Sequence, residues 1–374
     1  MILNFTNVWV IMFLKKFFVI VAIGGIIFPL FAFAQTASDI FEAKVIKILE
    51  EKQIDRGDGT EKTQQNLLLI GKEGFWEDKE IKYEGISDLD IASSNVYKVG
   101  DKVLVQKIIG QEEEESFLIV DYVRSGKLAL LAFLFALTIV LVGGKKGWRA
   151  ILGLVLSFFI ILEFIIPRII AGNNPLFISL IGSFLILVGI IYLSEGVNRK
   201  SNLGLLSVFI SLSFTLILSW LFVSLTKLTG LASEEAVFLI GTGAHAIDFR
   251  GLLLAGMLIG AVGVLDDVVI GQLEAVKQIK EANKQLNFWQ VFTMAYKVGN
   301  THLGAIVNTL FLTYAGASLP LLLLFTFGQS EGLTFAQAIN NEMVATEIIR
   351  TLSGSIGIAL SMPIATFLGA KYLK

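Results

Sequence analysis

Seven apolar runs dominate the chain after its first third, at about 126–143, 150–167, 175–193, 203–225, 250–270, 302–327 and 348–370. A helix rises ~1.5 Å per residue, so about 20 residues cross the ~30 Å hydrocarbon layer of a bilayer. Each run is near that length, and together they predict an α-helical polytopic membrane protein with about seven transmembrane helices. Composition agrees: of 374 residues 55% are hydrophobic and only 17% charged, too few polar groups to coat a soluble globule of this size. The bilayer is therefore the first partner the sequence implies.

The first 34 residues have the layout of a secretory signal. Lys15 and Lys16 precede an apolar stretch from Phe17 to Phe31, and Ala32-Phe33-Ala34 before Gln35 has the small-x-small form of a cleavage site. Cleavage after Ala34 is expected, with an uncleaved anchor helix as the alternative; a start at Met12 gives a more compact signal. Residues 35–124 then form a water-facing domain. Their β-rich runs FEAKVIKIL, NLLLI, DKVLVQKII and SFLIVDYV are separated by turn material such as RGDGT and KVGD, and Glu112 to Glu115 form an acidic run. A small barrel of the OB or SH3 type is expected there, with the transmembrane domain occupying residues 125–374.

Orientation follows from Lys and Arg, which accumulate in short cytoplasmic loops. With residues 35–124 outside, the inner segments hold Lys145, Lys146, Arg149, Arg199, Lys200, Lys277, Lys280, Lys284, Lys297, Lys371 and Lys374, against Arg168, Lys227, Arg250 and Arg350 at the outer edges. The C-terminus is thus expected in the cytoplasm. Between the fifth and sixth spans, residues 271–300 read as a cytoplasmic amphipathic segment: Leu273, Val276 and Ile279 recur at helical spacing, and Phe288, Trp289 and Tyr296 suit the headgroup layer. It is expected to lie along the inner membrane surface.

The fifth run ends in an adjacent acidic pair, Asp266 and Asp267, within GAVGVLDDVVIG. From Gly251 to Leu265 there are fifteen residues, spanning only about 22 Å, so the pair is needed to complete the crossing. Acids at that depth cost up to ~2.5–3.5 kcal/mol on insertion scales and are functional by default. No Lys or Arg lies between Gly251 and Val276. Proton uptake, a bound cation or donors on other helices are left as compensation. Asp267 continues the helix face of Gly256, Gly260 and Gly263, a small-residue stripe that invites close helix packing, so Asp267 is expected to face the bundle and Asp266 another partner or a cavity.

Span six offers a donor face, with Thr301, Asn308, Thr309 and Thr313 at helical spacing. Pro320 and Pro363 each free a carbonyl about four residues earlier, near Gly316 and Ala359. Glu163 sits either in the second span or at its outer edge, close to Pro167 and Arg168. Glu347 and Arg350, three apart, can form an ion pair on one helix face, more in keeping with anchoring than with chemistry.

The runs GLLLAGMLIGAVGVLDDV, HLGAIVNTLFLTYAGASLPLLLLF and EIIRTLSGSIGIAL, three motifs in order, resemble the YibE/F family of bacterial multi-spanning membrane proteins. On that resemblance the family's aspartate before valine falls on Asp267, its Asn-Thr-Leu on Asn308, Thr309 and Leu310, and its Glu-x-x-Arg-Thr on Glu347, Arg350 and Thr351. Where relatives commonly carry Arg-Asp, this chain has Asn300-Thr301. The resemblance implies a bacterial plasma (inner) membrane location and supplies no established activity.

Three functions compete. The leading expectation is a transporter or permease for a small solute or ion, proton- or cation-coupled through Asp266 and Asp267 with Asn308 and Thr309 on the path. The alternative is a membrane scaffold or sensor with a ligand- or partner-binding outer domain. An intramembrane enzyme ranks last: adjacent carboxylates on one helix point about 100° apart and cannot converge on one bond. No catalytic residue, cofactor or metal site is assigned, since the chain has no cysteine and His245 and His302 form no zinc signature. No basic domain points to nucleic acid. The sequence leaves room for a homo-oligomer.

Overall fold

A computed structural model describes residues 40–55, 61–86, 95–109, 115–241, 247–330 and 334–373. The expected signal segment, the RGDGT turn, Glu112 to Glu114 and His245 lie outside the described residues. The chain forms two compact units, divided between Thr138 and Ile139.

The first unit holds a small antiparallel sheet of β1 (Ile40–Asp55), β2 (Glu61–Gly71), β3 (Glu80–Glu84), β4 (Lys102–Ile109) and β5 (Glu115–Tyr122), in the order β3-β2-β1-β4-β5. Alternation sets its inner face: Phe41, Ala43 and Val45 of β1, Leu67 and Leu69 of β2, and Val103 and Val105 of β4 are buried, as the two-residue period of a strand requires. Register shifts between Val45 and Lys47 and between Ile48 and Glu50 mark bulges in the long first strand, where added twist curls the sheet. Edge strands β3 and β5 come into contact, but no ladder pairs them among the described residues.

Buried polar groups in this unit are matched. The Gln65 side chain donates to the Tyr97 carbonyl at 3.2 Å and accepts from its N–H at 2.7 Å, tying the segment before β4 to the core. Burial pushes the Tyr97 phenol up to about 12. The folded unit therefore holds its proton more tightly than the unfolded chain, so this contribution is intact below pH ~10 and is lost as pH rises toward 12. Loss of about 2 kcal/mol of sheet stability is expected across that window. Denaturant titrations followed by near-ultraviolet circular dichroism check it; Tyr97→Phe should flatten the pH dependence, and an unchanged slope would contradict the assignment.

The second unit is helical and membrane-embedded. Its elements, with the helix that enters it, are α1 (Ser125–Ile170), α2 (Pro175–Glu195), α3 (Arg199–Leu225), α4 (Glu234–Gly241), α5 (Phe249–Ala282), α6 (Phe288–Ala317), α7 (Leu319–Ser330), α8 (Phe335–Asn340) and α9 (Glu342–Tyr372). Among the described residues five helices are long and apolar enough to cross a membrane, or six if the bent pair α6–α7 is one span. The first two runs expected from the sequence fall together in α1, which is interrupted at Gly144 with φ 56° and ψ −125°. A Cβ at Gly147 would lie 2.0 Å from the Ile139 carbonyl oxygen, so the chain turns sharply on these glycines. Further along α1, Pro167 cannot donate to the Glu163 carbonyl, and Ile160–Ile165 widens into a π turn. Glu163 is exposed there.

Side-chain caps fix most helix starts. Asn174, Asn198 and Asp248 accept from Phe177, Ser201 and Gly251 N–H groups, and Asn287 with Gln290 completes a capping box at α6. Asp248, an interruption in the apolar pattern, is thus the N-cap of α5. At 34 residues α5 extends over about 51 Å, well beyond the hydrocarbon layer. It is the central helix, packing on α2, α3, α6 and α9.

This length bears on residues 271–300, expected as an amphipathic segment along the inner membrane surface. The segment is the end of α5, a turn, and the start of α6. Its apolar stripe faces protein: Leu273 and Val276 are fully buried, and their methyl groups lie 2.9–3.3 Å from where a Cβ at Gly369 of α9 would sit. The amphipathic period was real; its apolar side meets α9.

Candidate functional site

The two ends of the helical unit are tied differently. At one end Lys200 bonds Glu195 and Glu274, the latter at 2.7 Å, and Lys146 approaches Glu195 at 3.7 Å. Lys280 donates to the carbonyls of Ala370 and Leu373 at 2.7 and 2.5 Å, satisfying open C-terminal carbonyls of α9. At the other end Glu342 accepts from the N–H groups of Thr229 and Gly230 at 2.6 and 3.0 Å, and Arg250 donates to the Ser224 hydroxyl. This second fastening frames a cavity.

The cavity encloses about 490 Å³ between the loop after α3, α4, the start of α5, the α6–α7 junction and the start of α9. Its apolar wall includes Leu252, Leu253, Leu321 and Met343; its polar groups are Ser233, Glu235, Ser318, Thr346, Glu347 and Arg350. A neighbouring cavity of about 250 Å³, lined by Phe311, Tyr314, Val344 and Leu352 among others, shares Ser318, Leu321 and Glu347 with it. The volume lies within the range of small-molecule sites, and the mixture of apolar wall and few polar groups is their usual chemistry.

Local sequence builds this place. Pro320 removes the N–H that would bond the Gly316 carbonyl, and α6 and α7 meet at Ser318 with a bend of 62°. Pro363 lies inside continuous α9, where it leaves the Ala359 carbonyl without its helical donor and the helix runs on. Arg350 Nη1 donates to Glu347 Oε1 at 2.7 Å, with side chains 28% and 25% exposed, so the pair adds no more than about 1 kcal/mol. Among the described residues Arg350 Nε is buried without a hydrogen-bond partner, a state that costs about 1–3 kcal/mol when nothing satisfies it. The ion pair read from the sequence as an anchor therefore lines a cavity with donor capacity left over.

The remaining site residues are placed otherwise than expected. Gly256, Gly263 and Asp267 are exposed, and a Cβ at Gly256 or Gly263 would meet nothing within 4 Å. Gly260 is approached by the Tyr314 hydroxyl, 2.9 Å from where its Cβ would sit. The stripe is thus open at Gly256, Gly263 and Asp267 and met by α6 only at Gly260, and Asp267 points away from the bundle; Asp266 is half-buried. The packing side is instead Leu254, Leu258, Ala261, Leu265, Val269 and Leu273. Among the described residues neither aspartate forms an ion pair.

The expected donor face of α6 does not serve the acids. Asn308 and Thr309 are exposed, and Thr301, Thr309 and Thr313 turn their hydroxyls back onto the carbonyls of Lys297, Ala305 and Thr309. Such i−4 bonds leave threonine little capacity for a neighbouring helix.

Close helix contact is made by residues the sequence reading passed over. Ser207, Ser211, Thr215 and Ser219 recur every four residues on α3, all buried, and this face packs on α9, where Thr215 meets Gly357 and Ser219 meets Ser353. Ser219 donates to the Ser353 hydroxyl at 2.9 Å. Buried Gln272 of α5 donates to the Ala295 carbonyl of α6 at 2.7 Å and to the Thr366 hydroxyl of α9 at 2.8 Å. The four-residue serine period was the available signal for the first.

A family model described as YibE/F-like protein matches residues 131–374. No curated protein and no solved structure matches the chain.

Proposed function

We propose, from the premise that this chain belongs to the YibE/F-like family, that it is a membrane permease for a small solute, with its solute site in the cavity beside Arg350. The observation that carries this reading is a cavity of about 490 Å³ lined by a guanidinium, two carboxylates and the bend of a broken helix pair. Discontinuous helices of this kind form solute and ion sites in many secondary transporters.

The open face of α5 supports a path from that site. Gly256 lines the cavity, and Gly260, Gly263 and Asp267 follow on the same face, eleven residues or about 16 Å from Gly256 to Asp267. A carboxylate exposed at hydrocarbon depth is costly unless water, a cation, a proton or another protein surface meets it. In this reading Asp267, with Asp266, takes the coupling proton or cation. The chain crosses a bacterial plasma membrane seven times, Gly144 separating the first two crossings. The curled sheet is an OB- or SH3-like domain outside the cytoplasm, and the C-terminus is inside.

Proteoliposomes test the coupling. Parent protein should carry protons down an imposed pH gradient in the presence of solute, read by an entrapped pH-sensitive dye. Asp267→Asn is expected to lower that flux by about tenfold or more, equivalent to about 1.4 kcal/mol in barrier height. Parent-level flux in the folded variant would remove Asp267 from the mechanism.

A further inference from the structure

The charges around the cavity select among solutes. Among the described residues Arg350, Glu347 and Glu235 line it, giving that wall one positive and two negative formal charges. Arg350 donates from Nη1 to Glu347, and its side chain, 28% exposed, keeps further Nη N–H groups for an occupant; its Nε is closed off and, among the described residues, has no acceptor. An occupant oxyanion can accept from those Nη groups, and a guanidinium suits a planar carboxylate. A dianion would enter a site that already has an excess of negative charge. A simple amine would bring no acceptor for the remaining guanidinium N–H groups. Glu235, exposed on α4, and Glu347 offer a counter-charge for an ammonium group, and Leu252, Leu253 and Met343 a wall for an aliphatic body.

We infer that the cavity binds a small zwitterion with an apolar body, the charge pattern of an aliphatic α-amino acid, its carboxylate on Arg350 and its ammonium towards Glu235 and Glu347. The assignment rests on the permease reading only in calling the occupant a transported solute; the binding chemistry stands by itself.

Isothermal titration calorimetry of the purified full chain tests it, with L-leucine, 4-methylpentanoate, isoamylamine and inorganic phosphate as probes. L-Leucine is expected to bind about tenfold or more tightly than 4-methylpentanoate, which lacks the ammonium, or isoamylamine, which lacks the carboxylate, with phosphate weakest. Arg350→Gln should abolish L-leucine binding. Glu235→Gln, at an exposed position where folding is not at stake, should narrow the gap between L-leucine and 4-methylpentanoate. Phosphate or isoamylamine binding as tightly as L-leucine overturns the inference, as does absence of heat with L-leucine or a gap untouched by Glu235→Gln. L-Leucine binding without any flux in proteoliposomes would remove the permease and keep the zwitterion site. Solute-dependent proton flux without L-leucine binding would do the reverse.

Discussion

Gly357→Leu is expected to leave little folded protein in detergent, because it forces apart the most closely packed helix pair in the membrane unit. A Cβ at Gly357 would lie 1.8 Å from Thr215 Oγ1 and 3.1 Å from Thr215 Cβ, and Thr215 is only 3% exposed. Its hydroxyl is also held, donating to the Ser211 carbonyl at 3.0 Å. Between membrane helices the driving force is close packing and interhelical hydrogen bonding, because lipid is as apolar as the side chains it replaces. Overpacking a filled core costs about 1–3 kcal/mol, the range expected for Gly357→Ala, where turning Thr215 relieves part of the clash. Leucine has no such relief, and a loss above about 3 kcal/mol is a large share of a total stability of roughly 5–15 kcal/mol. Thermal unfolding in detergent should rank parent, alanine and leucine in that order. Thr215→Ala should restore part of the Gly357→Ala loss, since it removes the hydroxyl and leaves the Cβ. A leucine variant as stable as the parent would refute the α3–α9 contact.

The second large effect is expected at Gln272, which joins α5 to both α6 and α9 from a site 5% exposed. Gln272→Leu keeps the bulk and removes both bonds. Interhelical hydrogen bonds in membranes average about 0.6 and reach about 1.7 kcal/mol, so the pair accounts for about 1–3 kcal/mol. Gly299→Ala attacks the same junction from α6, since its Cβ would lie 2.5 Å from Gln272 Oε1 and 2.6 Å from Met362 Cγ. The two substitutions share a partner and should couple: alanine at 299 ought to cost less where residue 272 is already leucine and can move. Denaturation midpoints of both single variants and the double variant measure that coupling. Strict additivity, or a neutral Gln272→Leu, would show that the three helices meet without it.

Much of this architecture was legible in the residues. The seven apolar runs read as spans are helical, and the β-rich segments formed one antiparallel sheet among the described residues. Pro320 marked the bend between α6 and α7, and Glu347 and Arg350 met as three-residue spacing on a helix allows. The same reasoning went astray over the glycine face of α5 and the threonines of α6. A Gly-x-x-x-Gly stripe shows that another surface can approach closely; it does not show that one does. Threonine at helical spacing offers donors, but its own i−4 carbonyl is nearer than any neighbouring helix.

What the sequence alone determined is which segments are apolar enough to be long helices, which form strands, and the family to which residues 131–374 correspond. Only the tertiary structure decided which side of each helix faces protein. In water, polarity distinguishes the two sides of a helix, but in lipid both sides are apolar and the hydrophobic period carries little information. Facing is then set by shape, by whether Thr215 fits Gly357 or Gln272 reaches Thr366, and such matches exist only once helices distant in sequence are side by side. The cavity beside Arg350 belongs to the same class, because its walls come from residues 230 to 350 and no local stretch contains it.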